Sequence, residues 1–231
     1  MTRPVELVLP FQGTWLVRNS PARRVPSHGT DLFATTYAID FVAVRGRRTA
    51  AVRDWRTALS TEPPERFVAF GLPVLAPAAG TVVAVHDGEP DHEARRSPTA
   101  LLGYALTQAA RARGGAAALA GNHVVLALDP PGTYVVLAHL RAGSVAVVPG
   151  RRVEAGEELG RCGSSGNSTQ PHVHVQAMDA PDALAAAGCR SSSGASASGP
   201  ATARRASWTS ASRRRVRSSS PRDRGPAGLT P

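Results

Sequence analysis

At 231 residues with 42% apolar side chains, the chain is long enough to bury a sizeable core, and its length fits one domain, or one domain with a tail. The formal charge of +10 comes from 27 basic residues, all arginine; nine of them face the single acid Asp223 within residues 183–231, which leaves about +2 for residues 1–182. The body is therefore not basic enough to argue for a nucleic-acid partner, and two cysteines, Cys162 and Cys189, cannot make a disulfide framework.

No apolar run reaches membrane-spanning length, and the N-terminal MTRPVELVLPFQGTW is too short in apolar residues for a secretory signal. As written, the chain reads as soluble, unsecreted and cytoplasmic. In chain order, VELVLPF and TWLV, split by Pro10 and Gly13, predict two short strands within residues 5–18. A Pro/Ser/Arg-rich loop over residues 19–29 delivers His28, and TTYAIDFVAV (35–44) predicts a buried strand with Asp40 in its middle. An unpaired carboxylate there is costly, so Asp40 needs a partner.

Residues 45–66 read as an inserted loop with a short helix over 52–59. LPVLAPAAGTVVAV predicts two strands around a small-residue turn at 77–80. Ser97-Pro98 and then Gly114-Gly115 bracket a helix over 98–113, within a helical insertion spanning about 90–120. GNHVVLAL (121–128) and TYVVLAHL (133–140), joined through Asp-Pro-Pro-Gly, predict a hairpin that ends on His139. Short strands at 145–148 and within RRVEAGEELGRCG lead to a glycine-rich turn, 163–168, and then to PHVHV. In a strand, His172 and His174 leave on one face while Val173 and Val175 pack the other.

Many short strands with regular turn signals predict a mainly β, antiparallel sheet or sandwich with one inserted helix. The last 49 residues, 183–231, are dominated by Ser, Ala, Arg, Gly and Pro and predict a disordered tail. Its abrupt onset and arginine-only basicity suggest a second reading, a shifted reading frame. His86 and His92 flank a polar loop and are expected in solvent, and His123 is expected at a rim.

The chemical inventory of the body is His28, Asp40, His139, His172 and His174, on separate segments that one sheet can bring together. Two imidazoles and one carboxylate suit a hydrolytic zinc site, which takes three protein ligands and leaves a fourth position to water. The remaining imidazoles then suit a general base and a stabiliser of an oxyanion.

GNHVVLAL, YVVLAHL and VVPGRRVEAGEELGRCGSSGNSTQPHVHVQ together resemble the core of the M23 (lysostaphin-like, LytM-type) zinc metallopeptidases, in which a glycine-rich turn ending in Ser/Thr-x-Pro-His-x-His is the most specific signature. SHGT with TYAIDFV resembles the first ligand motif, so the resemblance covers residues 27–178 of a peptidase domain at 1–182. It implies a LytM-like β fold, Zn2+ held by His28, Asp40 and His174, catalytic roles for His139 and His172, and a peptide or peptidoglycan substrate at the bacterial cell wall. The family commonly spaces its first His and Asp four apart; here Asp31 follows His28 by three and Asp40 by twelve, and Asp40 is preferred because it sits on the strand. The alternative is a non-catalytic M23-like module that binds wall peptides or regulates another hydrolase. PVLAPAAGTVVAV with VPGRRVEAGEELG also resembles biotinyl and lipoyl carrier domains, but this chain has no lysine to acylate.

Overall fold

Val173, Val175 and Ala177 alternate with His174 and Gln176 along strand β10 (Val173–Met178), so one face of the strand is apolar and the other polar. The computed structural model describes residues 5–50, 57, 59–97, 115–129, 131–192 and 215–218. In it, β10 lies between β3 (Ile39–Ala43) and β7 (Tyr134–Leu140) at the centre of a twisted antiparallel sheet. Beyond β3 lie β2 (Gly13–Val17) and β13 (Arg215–Ser218); beyond β7 lie β6 (Asn122–Leu128), β5 (Gly80–His86) and β8 (Arg152–Val153). β11 (Gly188–Cys189) also pairs with β10, while β4 (Pro73–Leu75) pairs with β9 (Glu158–Arg161) and β1 (Val5–Glu6) with β12 (Ser191–Ser192).

The apolar face carries the main core. Trp15 stacks on Phe11 with centroids 4.3 Å apart, and Phe11 meets Phe41 at 4.9 Å. Val82, Leu126, Leu137 and Val173 continue this layer, and Val74 and Leu159 of the β4–β9 pair close over it. The opposite face is floored by small side chains, Ala84, Val125, Val136 and Ala138. Large side chains on the first face bury the sheet, and small ones on the second leave a trough.

The mainly β, antiparallel expectation holds, and the hairpin of β6 and β7 falls where its turn residues put it. Three local expectations differ. The strand expected from residue 35 begins at Ile39, because Phe33 and Ala34 take left-handed φ of 59° and 58° inside a 3-10 segment, Leu32–Tyr37. Residues 145–148 form no strand and pass over β9 through a single bond from Ala146 N–H to the Leu159 carbonyl, 2.9 Å. Gly115, read as the end of a helix, begins helix α1 (Gly115–Ala120).

The helix expected over 98–113 lies outside the described residues, as does most of the one expected over 52–59. Of the expected tail, residues 183–192 are described and include β11 and β12. Among the described residues no helix is long and apolar enough to cross a membrane.

Candidate metal centre and groove

Asp40 and His174 are direct cross-strand partners on β3 and β10, and the facing position on β7 is Ala138. This register places Oδ1 of Asp40 2.9 Å from Nδ1 of His174, and Oδ2 3.1 Å from Nε2 of His28. One ligand atom from each of the three residues falls within 4.8 Å of the others. Asp31, the alternative, is exposed and accepts the Thr36 hydroxyl at 2.8 Å, so it is not part of this cluster.

Hydrogen bonds outside the cluster decide which ring nitrogens face inward. Ser27 Oγ donates to the Thr35 carbonyl at 3.0 Å and must therefore accept the Nδ1–H of His28 at 2.9 Å. Gln176 donates its amide to the Phe33 carbonyl at 2.8 Å, which turns its oxygen to accept Nε2–H of His174 at 3.1 Å. Each ring has spent its proton outward, so Nε2 of His28 and Nδ1 of His174 turn lone pairs toward a carboxylate. Lone pairs repel a carboxylate unless a cation lies between them, and two nitrogens with one oxygen are a donor set that suits zinc. Burial alone would raise the Asp40 carboxyl, but the charge of His172 and the hydrogen bond from it hold it well below its usual range.

His139 reaches the same site by an irregular route. Ala138 faces the trough, so alternation would send the next side chain to the other side of the sheet. A β-bulge breaks that rule: the β6–β7 register shifts between Asn122 and His123, and His139 takes φ +63°. Both Ala138 and His139 then line the groove. Nδ1–H of His139 donates to the Ser165 carbonyl at 3.0 Å, which leaves Nε2 as the basic nitrogen. Burial, with His172 and His174 adjacent, pushes the His139 imidazolium well below the usual pKa.

His172 lies one residue before β10, on the same side as His174, with its ring 4.6 Å from that of His139. Ser168 Oγ donates to the Gln170 carbonyl at 2.7 Å; the same carbonyl accepts Nδ1–H of His172 at 2.8 Å. Burial disfavours charge on this ring, but the Asp40 carboxylate 3.5 Å from Nε2 outweighs it and the pKa rises.

The turn at 163–168 is held from below. Asp91 accepts Ser164 N–H at 2.6 Å, and Nε2 of His92 donates to the Gly166 carbonyl at 2.8 Å. His92, expected in solvent, is thus bound to the loop that anchors His139. Gln176, Ser27 and Ser168 were also missed as supporting residues, although Gln176 continues the His172/His174 alternation by two and Ser27 adjoins His28. Cys162 is fully buried away from the cluster, its thiol pushed up by burial and by Asp91.

The cluster opens into a groove of about 930 Å³, lined on its flanks by Leu32, Phe33, Leu119 and Leu184. Leu32 and Leu184 are each 66% exposed, so apolar surface borders the His28, Asp40 and His174 cluster.

Residues 105–185 match the family described as peptidase family M23. No curated protein matches the chain. Among solved structures it is similar to the catalytic domain of the antimicrobial peptidase lysostaphin from Staphylococcus simulans, at 20% identity over 66% of this chain and 74% of that one, with a TM-score of 0.38. Whole lysostaphin matches at 20% identity and TM-score 0.37, over 66% of this chain and 41% of that one; the chain thus spans about two fifths of that protein. The catalytic domain of the prophage-encoded M23 protein EnpA from Enterococcus faecalis matches at 21% identity and TM-score 0.36, over 64% of this chain and 85% of that one. The family match takes in β6, β7 and the Pro-His-x-His strand, so it is this part of the chain that matches peptidase family M23.

Proposed function

We propose that the chain is a zinc metalloendopeptidase that hydrolyses short peptide bonds, its substrate the peptide part of bacterial cell-wall peptidoglycan. The observation that carries this reading is the outward donation of both ring protons, to Ser27 and to Gln176, which leaves Nε2 of His28 and Nδ1 of His174 facing Asp40.

His28, Asp40 and His174 would hold the ion, which when bound supplies Lewis-acid polarisation of the peptide carbonyl and lowers the pKa of water. His139 and His172 work beside it. Their Nδ1 atoms are tied to the Ser165 and Gln170 carbonyls, so each ring can take or hold a proton only at Nε2, on the groove side. One imidazole then serves as general base and the other stabilises charge on the carbonyl oxygen. The small floor residues Val125, Val136 and Ala138 leave room for an extended peptide backbone.

The test is zinc content by elemental analysis together with cleavage of purified peptidoglycan. Wild type is expected to hold one zinc per chain, lost in Asp40→Ala and His174→Ala. His139→Ala and His172→Ala are expected to keep zinc while turnover falls by about 10²–10⁴. A folded wild type without zinc would overturn the reading in favour of a non-catalytic wall-peptide module.

A further inference from the structure

One row of cross-strand partners runs the width of the sheet on its groove face. Asp40 pairs with His174, His174 with Ala138, Ala138 with His123, and His123 with His86. Adjacent strands lie about 4.8 Å apart, so His123 stands about 10 Å and His86 about 14 Å from the metal-ligand strand. Ala138, the only position of the row between His174 and His123, has no side chain tall enough to block the path. A peptide laid along this row, rising about 3.4 Å per residue, reaches His123 about three residues from the bond at the metal cluster.

The far end of the row is polar and half-exposed. His86 and His123 stack with ring centroids 5.6 Å apart and planes 23° apart. Nδ1–H of His123 donates to the Gly121 carbonyl at 2.7 Å, which leaves Nε2 as a hydrogen-bond acceptor on a residue that lines the groove. Burial and the neighbouring His86 hold the His123 pKa down, which keeps that acceptor available. The Glu89 carboxylate lies 3.4 Å from Nε2 of His86. The Glu89 backbone is pinned to β6 on both sides: its N–H donates to Asn122 Oδ1 at 2.8 Å, and its carbonyl accepts Asn122 Nδ2 at 2.8 Å.

We propose that His123, His86 and Glu89 form a subsite for a protonated amine of the substrate, about three residues from the scissile bond. The chemistry is that of complementary hydrogen bonding: a ring acceptor and a carboxylate meet an ammonium, which has only donors. A carboxylate ligand would face Glu89 instead. The amine belongs either to a free peptide N-terminus or to a lysine-like side chain. This inference rests on the groove being the peptide-binding groove of the proposed peptidase.

The test is an NMR titration of the zinc-supplemented protein, following the backbone amide signals of Val125 and Ala138 in the groove floor, with three alanine pentapeptides. One has a free N-terminus, one is N-acetylated, and one is N-acetylated with lysine as its second residue. The free-amine or the lysine peptide is expected to bind about five- to tenfold more tightly than the acetylated one. The tighter of the two identifies the source of the amine. In His123→Phe, which keeps a ring to stack on His86, that preference should vanish while the acetylated peptide binds as before and zinc content is unchanged. Equal binding of all three by wild type, or a preference that survives in His123→Phe, would overturn the subsite. Binding is read without turnover: amine preference with no cleavage supports the subsite and overturns the peptidase, and cleavage without preference does the reverse.

Discussion

The side-chain oxygen of Gln176 lies 3.1 Å from Nε2 of His174, two residues away on the same face of one strand, and the amide nitrogen of the same Gln donates to the Phe33 carbonyl. Gln176 thus converts the position of a backbone carbonyl into the tautomer of His174. Gln176→Leu is expected to lower zinc affinity by about 10–100-fold, as loss of an orienting partner does elsewhere. Gln176→Glu, which still accepts Nε2–H, should retain most of it. Competition with a chromophoric chelator measures both, and equal affinity in the Leu variant would remove Gln176 from the metal centre.

Gly121 packs against the loop that anchors His139. A Cβ there would lie 2.5 Å from Ser165 Oγ and 2.6 Å from Gly166 N, and its φ of +61° disfavours any other residue. Gly121→Ala is therefore expected to lose about 2 kcal/mol or more of stability and to slacken the Ser165 bond to His139. Gly13→Ala has positive φ but open space around it, and should cost only about 1 kcal/mol. Urea denaturation of the two variants compares them directly.

Glu62 is fully buried and receives both Nε and Nη2 of Arg96, at 2.8 and 2.9 Å. Arg96 also lies over the Phe67 ring, 4.7 Å from its centroid. Removing it strands a buried carboxylate, so Arg96→Ala should destabilise by about 3–5 kcal/mol. Arg152→Ala, which breaks an exposed pair with Asp129, should leave the denaturation midpoint where it is.

The two thiols are expected to differ in reactivity. Cys162 is fully buried, with burial and Asp91 both raising its pKa; Cys189 is partly exposed and raised by partial burial and by Asp179. A raised thiol pKa means less thiolate at neutral pH, with the thiolate fraction growing as pH rises toward it. Iodoacetamide should therefore label Cys189 slowly at pH 7 and faster at pH 9, while Cys162 reacts only after denaturation. Mass spectrometry of the labelled peptides reports the order.

The sequence by itself determined the sheet class and the chemical cast. Period-two alternation is a property of the local backbone, so His174 facing away from Val173 and Val175 was legible in five residues, as was the β6–β7 hairpin from its turn. The preference for Asp40 over Asp31 followed from the same strand logic. What only the tertiary structure decided lies across strands. Asp40 and His174 are 134 residues apart, and no local rule sets their register. His139 turns into the groove only because a bulge at Asn122 and His123 overrides its alternation, and the bulge depends on the partner strand. The tautomers set by Ser27 and Gln176, the hold of His92 on the glycine-rich turn, and the row that carries His123 and His86 toward the metal cluster all require distant backbone carbonyls or partner strands to be in place. Side-chain identity fixes what a residue can donate or accept; packing fixes what it meets.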